Sequence, residues 1–157
     1  MLTISSVEIR FAFYKEREDD PGSYEVDEYE TVCLDRRTQK GKDFIDKYFS
    51  DDMLLSKLRW DGPFWEVCPR EETNDDIDDI DEIDSVWLHF NEDGKPYADV
   101  LSYGAGFSSC CVFCDAGHTD SFPIKDDTED MTIKNLKSIV ETTVCELRVF
   151  HTRAAIS

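Results

Sequence analysis

Cys111-Val-Phe-Cys114, followed by Asp-Ala-Gly-His118, has the C-x-x-C-x3-H spacing of a zinc half-site. Zinc takes thiolate and imidazole ligands in a tetrahedron, and a C-x-x-C on a turn delivers two of them. A fourth ligand would have to be Cys110, Cys68, Cys145 or His151, because the chain has no second C-x-x-C and no H-x3-H. Val112 and Phe113 read as strand, however, and residues three apart on a strand fall on opposite faces. The pair therefore reads as packing, and a small zinc-binding domain on Cys111, Cys114 and His118 is the alternative. A redox dithiol needs a strand-to-helix setting, and none is present.

The other reactive types carry no catalytic signature. His89, His118 and His151 have no flanking motif that would pair one of them with a nucleophilic cysteine. Gly104-Ala-Gly106 lacks the third glycine and the following helix of a dinucleotide fingerprint, and suits a strand bend instead. Carboxylate pairs for glycoside chemistry mean nothing without geometry in a chain with 36 acids. An enzyme with a site of scattered residues is the third reading. No cofactor is implied.

The densest chemical feature is acidic. Glu71, Glu72, Asp75, Asp76, Asp78, Asp79, Asp81, Glu82 and Asp84 put nine carboxylates into residues 71–84, with no base among them. Ile77, Ile80 and Ile83 recur every third residue, so one side can touch the body while the carboxylates fan outward. A calcium loop needs a central glycine, and Ile occupies several of the ligand positions here. A solvated, solubilising run is the plain alternative. Like charges packed this closely repel one another, which gives a docking role a physical motive. Asp19, Asp20, Glu25, Asp27 and Glu28 form a second patch.

The whole chain shares this bias, with 36 acids against 17 Lys and Arg and a net charge of −19. Binding to a nucleic-acid backbone or an anionic membrane needs the opposite sign, so both are excluded as direct partners. Residues 35–59 carry seven bases and five acids, so everything else carries −21. This polarity points to a non-catalytic binding protein that neutralises a basic partner, itself a nucleic-acid-binding protein. Carboxylates on a rigid domain can imitate duplex phosphates. Small inhibitors of nucleases, of restriction or CRISPR effectors, and immunity proteins against nuclease toxins follow that logic, an analogy of charge and size alone.

Elements must hold these groups in place. At 157 residues and 40% apolar, the sequence fits a single domain over 1–157 with its own core. Alternation predicts strands at 3–14 and 24–34 around Asp-Asp-Pro-Gly, and at 86–91 and 96–102 around Asp93-Gly94. Further strands are expected at 65–68 and 107–114. Phe44, Ile45, Tyr48 and Phe49 lie at helical spacing, and Ser50 starts a second short helix through Leu58. Trp60, Phe64 and Trp65 mark a core corner. A helix over 131–149 buries Ile133, Leu136, Val140, Val144 and Leu147 behind an acidic first turn. The expectation is α+β, an antiparallel sheet built from hairpins with helices packed on one face. No apolar run approaches membrane-spanning length, and residues 1–16 lack signal-peptide features, so a cytoplasmic protein with reduced, core-buried cysteines is expected.

Overall fold

Val7, Ile9, Phe11 and Phe13 alternate with Glu8, Arg10 and Ala12, and this period of two builds β1 (Leu2–Glu16). In the computed structural model, which describes residues 2–58, 63–69, 82–103, 110–114, 118–122 and 131–156, β1 lies inside the sheet. It pairs antiparallel with β2 (Tyr24–Asp35) on one side and β3 (Glu82–Glu92) on the other. β4 (Lys95–Tyr103), β5 (Cys110–Cys114) and β6 (Thr119–Phe122) follow, each antiparallel to the last. The strand order is β2-β1-β3-β4-β5-β6. The β3–β4 turn uses Asp93 at φ 52° and Gly94 at φ 77°, the two positive values a tight hairpin requires.

Two bulges keep the apolar residues on one side. Ser5 of β1 and Asp84 of β3 are each skipped in the β1–β3 register. As a result Leu2, Ile4, Val7, Ile9, Phe11 and Phe13 join Ile83, Val86, Leu88 and Phe90 in one buried cluster. Leu34 of β2 and Tyr97, Ala98 and Val100 of β4 also belong to it.

The helices cover that same side. Phe44 and Ile45 of α1 (Gln39–Tyr48) and Ile133, Leu136, Val140 and Val144 of α2 (Ile133–Ile156) belong to the same cluster. The Thr38 hydroxyl caps α1 by accepting from the Gly41 amide at 3.1 Å. Gly41 is obligatory for space: a Cβ there would sit 2.1 Å from the Asp35 carbonyl oxygen. The fold is thus α+β, an antiparallel sheet with helices packed against it. Among the described residues, no helix is long and apolar enough to cross a membrane.

Four local expectations need correction. Residues 65–68 are not a strand: Pro63–Val67 is a 3-10 turn that buries Phe64, because Pro63 fixes a turn-like φ and the core takes the ring. The segment after Ser50 is likewise 3-10, at Leu55–Leu58. β6 went unpredicted, being four residues long and polar. Finally, α2 has no acid in its first turn. Thr132 and Asn135 cap it reciprocally, and the first free amides donate to remote carbonyls, Ile133 to Met53 at 2.9 Å and Lys134 to Asp51 at 3.1 Å.

Candidate acidic interface

Among the described residues, pairing of β1 with β3 runs as far as Ala12 and Glu82, and from Phe13 onward β1 pairs with β2. The β1–β2 ladder continues beyond that point to Glu16 and Tyr24, and its tip closes with Ser23 donating to the Asp20 carbonyl at 3.0 Å. Asp19 and Asp20 occupy this tip, and Glu25, Asp27 and Glu28 stand exposed on the outer half of β2. Glu82 and Asp84 open β3 at the same end, since Ala12 lies opposite Glu82 on one side and Tyr29 on the other. The sheet thus brings the start of β3 together with the second acidic patch. Glu71, Glu72, Asp75, Asp76, Asp78, Asp79 and Asp81 lie outside the described residues.

Cations interleave with these acids. Arg17 forks onto Asp19 at 3.1 and 2.9 Å, Lys15 lies 3.6 Å from Asp27, and Arg10 lies 3.4 Å from Asp84 while stacking 3.8 Å over Tyr29. The Tyr14 hydroxyl donates to Glu82, whose carboxylate, with some burial, pushes the phenol up to about 12. Exposed pairs of this kind are weak and exchange partners readily. They trim the local charge without locking the carboxylates away from a partner. β2 is also an edge strand, where charge discourages sheet-to-sheet pairing, so part of its acidity has a purely structural use.

Two further assemblies were invisible in the sequence. On the face of the sheet away from the helices, His89 of β3 sits between Asp99 of β4, 2.7 Å from Nδ1, and Glu8 of β1, 3.2 Å from Nε2. The Asp99 contact is a hydrogen bond; the Glu8 contact is an ion pair set too obliquely to be one. The Asp99 bond and the two negative charges raise the His89 pKa against the opposing pull of burial. The second assembly joins β6 to α2: the His118 and His151 rings stack at 3.6 Å, and Asp120 lies 3.6 Å from His151 Nε2. Only register links these residues, and periodicity carries no register.

The cysteines depart from expectation. Cys33 and Cys145 are exposed and Cys68 is half-buried, all three as free thiols, whereas apolar neighbours had suggested a buried set. Cys33 lies on the edge strand and Cys145 on the outer side of α2, where apolar neighbours do not imply burial. Partial burial, Glu8 and Asp35 push the Cys33 thiol up, the opposite of an activated nucleophile. Cys111 and Cys114 lie in continuous strand, paired with Leu101 and Ala98, and thus at positions of opposite parity. His118 precedes β6 and is exposed. Among the described residues, no three His, Cys, Asp or Glu side chains are grouped to hold a metal ion.

No protein-family model, no curated protein and no solved structure matches the chain. The functional reading rests on the residues themselves.

Proposed function

We propose that this is a non-catalytic binding protein that docks its acidic sheet end on the basic surface of a nucleic-acid-binding protein and inhibits it by standing in for phosphates. An inhibitor of restriction or CRISPR effectors, or an immunity protein against a nuclease, would fit that description. One observation carries the reading: Glu82 and Asp84 share an end of the sheet with the β1–β2 hairpin that carries Asp19, Asp20, Glu25, Asp27 and Glu28. The acidic run at 71–81 leads directly into Glu82 in the sequence. A net charge of −19 supplies long-range attraction, which speeds encounter more than it tightens the final complex. Free Cys33, Cys68 and Cys145 suit a reducing compartment, and the cytoplasm is the proposed location.

Host extract passed over the immobilised full chain tests this. A basic protein should be retained at roughly 0.05 M salt, released by roughly 0.5 M, and displaced by duplex DNA. Reversing Glu25, Asp27, Glu82 and Asp84 to lysine together should abolish retention. Capture that is indifferent to salt, or that survives the reversal, sinks the proposal.

A further inference from the structure

Helix α2 outruns the core that it covers. Among the described residues its fully buried side chains, Ile133, Leu136, Val140 and Val144, end at mid-helix, yet the helix continues to Ile156. Past that point Leu147 and His151 remain half-buried against the body. A second stripe, Glu146, Val149, Phe150 and Arg153, follows the i, i+3, i+4, i+7 spacing of one helical face. All four are exposed, Val149 by 51% and Phe150 by 65%, and with Cys145 they line an open apolar depression. Exposed apolar surface rimmed by polar groups marks a contact site.

The charges say what covers it. Counting outward from the midpoint between Val149 and Phe150, Glu146 lies as far toward one end of the helix as Arg153 lies toward the other. Neither has an ion-pair or hydrogen-bond partner among the described residues. A two-fold contact demands a self-complementary patch, and this stripe is one. An antiparallel second copy would set Val149 against Phe150 and Glu146 against Arg153 in both directions at once. A partner helix of single charge sign would satisfy only one of the two. Repulsion between two chains of −19 is also least damaging here, because α2 carries Lys134, Lys137, Arg148 and Arg153 against Glu141 and Glu146.

We infer that the protein self-associates through a two-fold antiparallel pairing of the C-terminal halves of α2. The inference does not depend on the acidic interface, which lies on other elements.

Sedimentation equilibrium of the full chain tests it. The contact is small, so a dissociation constant on the order of tens of micromolar is expected. Phe150→Asp should raise it about tenfold or more, because the ring is the central anchor. Glu146→Arg and Arg153→Glu should each weaken association about threefold to tenfold, and the double variant should return to within about threefold of the parent. These side chains are exposed, so circular dichroism should show every variant folded. A monomer at roughly millimolar concentration, a dimer indifferent to Phe150→Asp, or a charge swap that fails to restore pairing would each overturn the inference. So would a monomeric chain whose Phe150→Asp variant loses a different protein from host extract. Salt separates this result from the acidic docking: it should release the basic partner, whereas by screening the mutual repulsion of two acidic chains it should leave the dimer intact or strengthen it.

Discussion

On the helix side of the sheet, Val7, Ile9, Phe11, Val86, Leu88 and Val100 are essentially inaccessible to solvent; on the other side the same strands present Glu8, Arg10, Trp87, His89 and Asp99. The first set holds by shape and area, with no direction to its attraction. The second holds by directed pairs across strands: Arg10 with Asp84 and Tyr29, His89 with Asp99 and Glu8. Both sets depend on one register. A slip of a single residue would exchange the two faces, so the apolar side fixes where the polar groups meet.

Substitutions can break or sharpen this contrast. Phe11→Ala should cost about 3–5 kcal/mol in denaturant unfolding, since the ring is fully buried between neighbours. A loss no greater than that of a polar-face change would dissolve the distinction. Gly41→Ala should cost about 1–3 kcal/mol, because the added methyl collides with the Asp35 backbone and α1 must shift to admit it.

The polar face should reveal itself through pH. A raised His89 pKa means that the folded chain holds this proton more firmly than the unfolded chain does. The stabilisation is therefore complete below about pH 6.5, the unfolded value, and fades as pH climbs through the folded one. His89→Gln should cost about 1–2 kcal/mol near pH 5.5 and progressively less above neutrality, read from unfolding midpoints across pH. An equal cost at all pH values would mean that the charge plays no part. Arg10→Met, which keeps the stem but loses the stacked cation, should cost only about 0.5–1 kcal/mol. Smallest of all, Glu25→Lys should change stability by less than about 0.5 kcal/mol while weakening capture of the basic partner. That result would separate docking from folding.

Alternation and helical spacing were sufficient for β1 to β4, for α1 and for the buried stripe of α2, because each buries one face against the same core. They failed where a tertiary contact decides. The aromatic residues at 64–65 have strand propensity, yet the core demands the Phe64 ring and Pro63 supplies a turn. β6 has too few apolar residues to announce itself and exists through its pairing with β5. The acidic patches were plain in composition, but their meeting at one end of the sheet depends on Ala12 standing between Glu82 and Tyr29. Likewise, nothing in the spacing of Glu8, His89 and Asp99 indicates that three strands bring them within contact distance.

The position of β1 also sets a timetable for synthesis. Its first neighbour, β2, follows within a short turn, but its second, β3, begins only at Glu82. At roughly 5–20 residues per second, a ribosome takes several seconds to deliver that strand. Throughout this interval one row of β1 amides and carbonyls has no ladder, and the ring of Phe11 has no Ile83 beside it. A nascent hairpin in that condition is open to edge-to-edge capture by its neighbours on a polysome, and the carboxylates along β2 leave only its other edge to guard.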